Sequence, residues 1–118
     1  MNETNVKEEM VQTAMNIIIN AGDARNLIKE ALDAIAAQQF DLAEKKMEQA
    51  KDFIRIAHQS QTEMIQSEAR GEKMEYSILF SHAQDTLMTI SSEYHIASQM
   101  IKIFLSLSER IRNLEMKE

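Results

Sequence analysis

An apolar seam in the last third of the chain restricts the possible folds most strongly. Its members follow each other from Tyr76 to Ile111 in alternating steps of four and three residues, and Ser108 is the only polar residue among them. This spacing is typical of a helix packed in a bundle. A second stripe falls on nearly the opposite side of the same helix and comprises Ile78, His82, Asp85, Thr89, Ser92, Ile96, Met100, Ile103, Leu107 and Leu114. A helix with two such faces must be covered on both, so we expect another chain to cover the second stripe.

The composition predicts an all-α fold and a single domain over residues 1–118. The chain contains no proline and only two glycines, so it lacks the turn residues that a sheet or a loop-rich fold requires. Its length suits one domain with one core. The net charge of −6, with acidic and basic residues interspersed, argues against nucleic acid as a partner.

Several further classes of protein are disfavoured by what the sequence lacks. No apolar run approaches the roughly 20 residues of a membrane span, and the first residues show no signal-peptide pattern. With no cysteine, the chain has no disulfide, no thiol nucleophile and no thiolate ligand. We therefore expect a cytoplasmic protein.

The periodic segments predict three helices over about residues 4–37, 41–69 and 73–116. Both predicted connections are short, so consecutive helices should be antiparallel neighbours in an up-down-up bundle. Such a subunit is a thin rod that buries little area per residue, which is a second reason to expect self-association in a closed ring. The periodicity alone does not distinguish a dimer from a trimer.

Local signals suggest where the helices begin, bend and end. Asp41 followed by Glu44 has the spacing of a capping box at the start of the second helix. Gly71 is a natural left-handed residue after that helix. Gly22 lies inside the first helix, where it indicates either a bend, a close helix contact or simply a tolerated glycine.

The most informative polar residues are His82 and Asp85, three positions apart on the second stripe, with Thr89 and Ser92 continuing the polar window. A neutral imidazole nitrogen can attack phosphorus or bind a metal, which makes His82 a candidate site residue. Two ordinary interpretations stay open at this stage. His82 can be a core histidine satisfied by a hydrogen bond, and Asp85 can accept a hydrogen bond within one subunit.

The other candidate motifs are weak. His58 and His95 have no pattern of partners around them and are interpreted as surface or interface histidines. A di-iron bundle requires Glu-x-x-His, but Leu79 precedes His82 by three positions. The nine methionines are spread over all three helices and are interpreted as packing residues.

At these residues the chain resembles the lactose/cellobiose-type enzyme IIA of the bacterial sugar phosphotransferase system, over about residues 8–108. The resemblance rests on the order and separation of five stretches, namely 20–25 (NAGDAR), 40–44 (FDLAE), 57–66 (AHQSQTEMIQ), 71–73 (GEK) and 82–89 (HAQDTLMT).

The resemblance implies a homotrimer of three-helix subunits whose third helices surround the threefold axis. It also implies that His82 accepts a phosphoryl group from HPr and passes it to a cysteine of the cognate enzyme IIB. Asp85 would lie at the axis, where three copies share one divalent cation, which we expect to be Mg²⁺ because hard cations prefer oxygen ligands. The family usually has a larger side chain, often a second histidine, where this chain has Thr86.

Two functions follow as hypotheses. The first is a phosphoryl carrier for uptake of a disaccharide of the cellobiose, lactose or chitobiose class, linked to the membrane only through the permease. The alternative is a non-catalytic interaction or regulatory module of the same fold.

Overall fold

The computed structural model describes residues 3–72 and 77–117, with side chains from residue 7 onward. This part of the chain forms three helices and no strand: α1 over Glu3–Ala36, α2 over Phe40–Ala69 and α3 over Ile78–Met116. No helix among these residues combines the length and the apolar character that a bilayer crossing requires. The predicted all-α class is confirmed.

Contacts between the helices establish their directions. Asn16 Nδ2 donates to Ser60 Oγ at 2.9 Å, and Lys46 Nζ lies 3.4 Å from Glu30 Oε2, so α1 and α2 run antiparallel. Arg25 meets Glu93 at the middle of α3, and the end of α1 reaches Phe104, so α1 and α3 run in the same direction. The bundle is therefore up-down-up, as predicted.

The first connection differs from the predicted capping box. Gln38 adopts a left-handed conformation with φ of 60° and donates to Ile35 O at 2.9 Å, while Gln39 N–H donates to Ala34 O at 2.8 Å. These two bonds form a Schellman motif that ends α1 and leads directly into α2. Asp41 is therefore not the N-cap. It lies in the first turn of α2, where its negative charge still favours the positive end of the helix.

The second connection confirms one prediction and corrects another. Gly71 has φ of 86°, and its N–H donates to Glu68 O at 3.0 Å, so it is the predicted left-handed residue after α2. The third helix was predicted from about residue 73, but it begins at Ile78. Ser77 is extended and its Oγ accepts from Phe80 N–H at 3.1 Å, an N-cap bond that fixes the start of α3. Residues 73–76 lie outside the described part of the chain.

The core is built from small side chains between the helices, with a few large ones. Its largest fully buried side chains are Ile17, Leu87 and Ile90. Most other members are alanines, which let the helix axes approach closely, and the fully buried ones are Ala14, Ala21, Ala24, Ala31, Ala43, Ala50, Ala57 and Ala83. The buried seam of α3 faces this core, which confirms the first of its two predicted faces.

Gly22 has no close packing neighbour. A Cβ atom built there meets nothing within 4 Å, and α1 is helical on both sides of it. Among the described residues the close-contact interpretation is therefore wrong, and Gly22 occupies an open position.

The molecule is a rod of 76 × 20 × 18 Å. A helix of 39 residues is about 58 Å long at 1.5 Å per residue, and α3 extends past the α1–α2 connection. From Lys102 to Lys117 every residue except Ser108 is exposed. The last part of α3 therefore lies beyond the core of its own subunit.

Candidate functional site

The second stripe of α3 is open along its whole length in the single chain. All ten of its members are exposed, whereas Ala83, Leu87 and Ile90 on the other face are buried. The apolar members keep much of their surface in water, and Ile96 and Ile103 remain 60% and 57% exposed. A row of large apolar side chains of this kind marks a surface that another molecule covers.

His82 lies on this open face near the start of α3 and is exposed. The packing of Ala83 and Leu87, its neighbours along the helix, holds the backbone that carries it. Within the described residues, its ring takes part in no hydrogen bond or ion pair. The interpretation of His82 as a satisfied core histidine is therefore wrong for the single chain, and its ring nitrogens are available to an incoming molecule.

Asp85 follows His82 by three residues and is also exposed. Its carboxylate has no hydrogen-bond or ion-pair partner among the described residues. The interpretation that Asp85 accepts a hydrogen bond within one subunit is therefore wrong for these residues. Its backbone carbonyl accepts from Thr89 Oγ1 at 2.8 Å, a bond back to the preceding turn that satisfies the threonine hydroxyl. The polar window thus leaves the His82 ring and the Asp85 carboxylate unpaired on one face.

The described part of one chain does not complete a metal site. It contains no group of three or more His, Asp or Glu side chains positioned to hold an ion. His58 and His95 are exposed, and the ring of His95 packs edge to face against Tyr94 with centroids 5.5 Å apart.

A bidentate ion pair joins α1 to α3. Its residue on α3 is Glu93, which lies about 16 Å along the helix from His82 at 1.5 Å per residue. Arg25 Nε donates to Glu93 Oε1 at 2.9 Å and Arg25 Nη2 to Glu93 Oε2 at 2.8 Å. The hydrogen bonds to Glu93 raise the pKa of the Arg25 guanidinium, while partial burial opposes the shift. This pair links the helix that carries the polar window to its neighbour at a partly exposed position.

Sequence reasoning missed the Arg25–Glu93 pair. The two residues are 68 positions apart, and no periodicity relates the register of one helix to that of another. Arg25 does end one of the stretches on which the family resemblance rests, which was the only available signal.

The fold and the open polar window define a class of protein, namely a helical bundle that presents a histidine on an exposed face of its last helix. The sequence model of the family described as "PTS system, Lactose/Cellobiose specific IIA subunit" matches residues 12–105. The chain belongs to this family of phosphotransferase-system proteins.

Relatives cover nearly the whole chain. The lactose-specific EIIA component of Lacticaseibacillus casei is 38% identical over 112 residues, which is 95% of this chain and 96% of the relative. The crystal structure of the cellobiose-specific enzyme IIA from Bacillus anthracis has a TM-score of 0.79 and 41% identity, covering 83% of this chain and 90% of that one. The IIA(chitobiose)–HPr complex of Escherichia coli, solved in solution, gives a TM-score of 0.74 at 31% identity, covering 84% and 96%.

Proposed function

We propose that this chain is a phosphoryl carrier in which His82 holds the phosphate. The single observation that carries the proposal is the exposed, unpaired imidazole on a firmly packed helix of a protein in this family. A carrier must be reached by two different proteins in turn, so its reactive group has to be open to solvent. His58 and His95 are also exposed, but they lie outside the polar window.

The chemistry is two successive transfers of one phosphoryl group. In the first, a ring nitrogen of His82 attacks the phosphorus carried by HPr, and an N–P bond forms as the bond to HPr breaks. In the second, a cysteine thiolate of enzyme IIB attacks the same phosphorus, and an S–P bond forms as the N–P bond breaks. Each transition state is loose and roughly in line, so the helix mainly has to position the nitrogen.

HPr is the proposed donor because a chitobiose IIA relative has been solved in complex with it. The cysteine that receives the phosphate must lie on the partner, since this chain has none. The relatives differ in sugar, with lactose, cellobiose and chitobiose among their names. We therefore assign the transported sugar only to this class of disaccharides.

The proposed working form is a homotrimer in which three α3 helices meet along the second stripe. The exposed Ile96 and Ile103 would then be covered by the same residues of the other subunits. A closed ring buries the patch on every copy and leaves none open. His82, at the edge of the stripe and about 60° around the helix from Asp85, would stay accessible between subunits.

Asp85 is the residue that would hold a cation in that trimer. Three carboxylates brought to one axis repel each other, and either protonation or a shared cation must relieve the repulsion. The donors fit a hard divalent cation such as Mg²⁺, since they are oxygen atoms without other partners in the described structure. The ion would balance charge at the axis and takes no part in the transfer itself.

The test is phosphate uptake from phosphoenolpyruvate in the presence of enzyme I and HPr. We expect wild type to take up one acid-labile phosphate per chain and His82→Gln to take up none. His58→Gln and His95→Gln are matched controls that should behave as wild type, because both histidines are exposed and neither belongs to the polar window.

Stoichiometric uptake by His82→Gln would contradict the assignment. Uptake by none of the four proteins, with tight partner binding retained, would instead favour the non-catalytic interaction module. For the cation, Mn²⁺ can be used as a paramagnetic probe, and we expect wild type to bind about one ion per three chains and Asp85→Asn to bind none. Equal binding by both proteins would refute the role of Asp85.

A further inference from the structure

Thr86 lies one turn along α3 from His82, and its side chain is half-buried. At a separation of four residues, two side chains of a helix are neighbours, with Cβ atoms about 5–6 Å apart. Helical side chains also lean towards the N-terminus of the helix, so the side chain of Thr86 lies over the turn that carries His82. The threonine hydroxyl and the imidazole therefore adjoin each other.

The hydroxyl of Thr86 has no hydrogen-bond partner among the described residues, in contrast to that of Thr89. Thr89 Oγ1 donates to Asp85 O at 2.8 Å, which is the bond to the preceding turn that a helical threonine commonly forms. Thr86 does not form the corresponding bond to His82 O. Its hydroxyl is therefore available to a neighbouring side chain.

The neighbours of Thr86 on α3 offer one partner for this hydroxyl. The side chains three and four residues away are His82, Ala83, Thr89 and Ile90. Ala83 and Ile90 are apolar and fully buried, and the Thr89 hydroxyl is already bonded. Among these four side chains, the imidazole of His82 is the one polar group without a partner.

The facing part of α1 offers no competing partner. The ion pair between α1 and α3 joins residues 68 positions apart, and the same separation puts Ile18 level with Thr86. Ile18 is apolar and packs against the core. The polar residues on either side of it, Asn16 and Asn20, hydrogen bond to each other at 3.0 Å. The apolar flank of α1 leaves the imidazole as the group that the Thr86 hydroxyl meets.

The covalent structure of the two side chains selects one ring nitrogen. The histidine ring leans towards the N-terminus of α3 and away from the turn of Thr86, so Nε2 lies at its far end. Nδ1 lies at the base of the ring, beside the atom that joins it to Cβ. A threonine oxygen is one bond from its own Cβ and therefore reaches Nδ1 rather than Nε2. In a neutral imidazole, the hydrogen bond made by one nitrogen determines which nitrogen carries the proton.

We infer that Thr86 is a positioning residue for phosphoryl transfer, with Thr86 Oγ1 accepting a hydrogen bond from His82 Nδ1–H. This bond fixes the ring and keeps its proton on Nδ1, so the lone pair of Nε2 faces the incoming molecule. An N–P bond then forms at Nε2 as the bond between phosphorus and the donor breaks, and Nδ1 retains its proton. The inference rests on the proposed function and adds the group that selects the reactive nitrogen.

The tautomer of the His82 ring tests the inference without any phosphate. It is measured in the full chain from the 15N shifts of the ring at about pH 9, where histidine side chains are neutral, and the His82→Gln spectrum assigns the signals. We expect wild type to hold the proton mainly on Nδ1. Thr86→Val keeps the shape and removes the hydroxyl, and it should raise the ratio of the Nε2–H to the Nδ1–H tautomer by about fivefold, which is roughly 1 kcal/mol.

Rescue and control variants separate a hydrogen bond from a general effect on the fold. Thr86→Ser retains the hydroxyl, so its tautomer ratio should stay within about twofold of wild type. Thr13→Val is the matched control, because Thr13 is also a half-buried helical threonine but lies on α1, in a cleft shared with Ser60 of α2. We expect that variant to leave the His82 signals unchanged.

The rate of transfer from phosphorylated HPr gives the functional readout. In single-turnover experiments we expect Thr86→Val to be slower than wild type by about fivefold, and Thr86→Ser and Thr13→Val to stay within about twofold. Because the tautomer is read before any transfer, the two measurements fail independently.

Several results would overturn the inference. They are a proton mainly on Nε2 in wild type, an unchanged tautomer ratio in Thr86→Val, and a slower Thr86→Val that Thr86→Ser does not rescue. Phosphate uptake by His82→Gln would instead refute the proposed function, and with it the role of Thr86 in transfer. A tautomer that responds to Thr86→Val together with an unchanged transfer rate would also refute a positioning role.

Discussion

Replacing Gly22 by alanine should stabilise this protein, although glycine in a long helix often marks a necessary contact. The position is helical, and a Cβ atom there meets nothing within 4 Å in the chain. Alanine is more favourable than glycine inside a helix by about 0.5–1 kcal/mol, mainly because the glycine loses more backbone entropy on folding. Nothing in the described structure opposes that gain.

The expected effect is therefore a gain of about 0.5–1 kcal/mol, which corresponds to a rise in Tm of roughly 2–5 °C for a chain of this size. The assay is urea and thermal unfolding of Gly22→Ala and wild type at matched chain concentrations, because assembly makes Tm depend on concentration. Ala21→Gly is the control, since it removes a fully buried methyl group as well as helix propensity. We expect that control to lose about 2 kcal/mol.

A lower stability of Gly22→Ala at every concentration would refute the reasoning, because it would require a contact within the chain that the structure lacks. A loss that appears only at concentrations where chains assemble would locate the contact between subunits. It would then contradict the assumption that Gly22 stays in open solvent.

Three further predictions follow from side chains on α3. Leu87→Ala should cost about 2–5 kcal/mol in urea unfolding, because the side chain is only 1% exposed; the exposed Leu105→Ala should stay within about 0.5 kcal/mol of wild type, and equal losses would contradict the assigned core. Ser91→Ala should stabilise the fold by up to about 1 kcal/mol, because Ser91 Oγ is buried with no hydrogen-bond partner among the described residues; a clear loss would mean that the hydroxyl has one. A double-mutant cycle with Arg25→Ala and Glu93→Ala should give a coupling of about 0.2–1 kcal/mol that decreases in high salt, because both side chains are partly exposed, at 50% and 41%. No coupling at low salt would show that the pair does not persist in solution.

The faces of α3 could be predicted from sequence because burial determines them directly. The alternating steps of the seam required one buried face, and the structure buries Ala83, Leu87 and Ile90 there. The same periodicity placed His82 and Asp85 together on the other face, and both are exposed as neighbours on one side of the helix. For this element the pattern was sufficient because a helix repeats regularly and each face has one environment.

The helix boundaries were less predictable because several residues can end a helix. Gly71 was identified since glycine takes the left-handed conformation without steric cost. Gln38 also takes the left-handed conformation, with φ of 60°, although the chemistry of a glutamine side chain does not predict it. The backbone N–H groups of Gln38 and Gln39 donate to Ile35 O and Ala34 O and end α1 there. The second helix therefore starts ahead of Asp41, whose capping-box spacing was a coincidence. Ser77 was an available signal for the start of α3, because serine is a common N-cap and Phe80 N–H follows at the right spacing.

The contacts of the site with other molecules lie beyond what one sequence or one chain determines. A single subunit leaves the His82 ring and the Asp85 carboxylate unpaired, so the environment of each depends on what covers the second stripe. The periodicity indicated that something must cover this face, but the register between chains depends on side-chain contacts that a periodicity does not determine.

The central claim is that the exposed imidazole of His82 carries the phosphoryl group. The most direct measurement is to phosphorylate the wild-type chain with HPr, enzyme I and phosphoenolpyruvate, digest it at alkaline pH where phosphohistidine survives, and locate the modified residue by mass spectrometry. The account predicts one phosphate per chain on the peptide that contains His82, and an unmodified His58 and His95. A phosphate on either of those histidines, or on a serine or threonine, would contradict it.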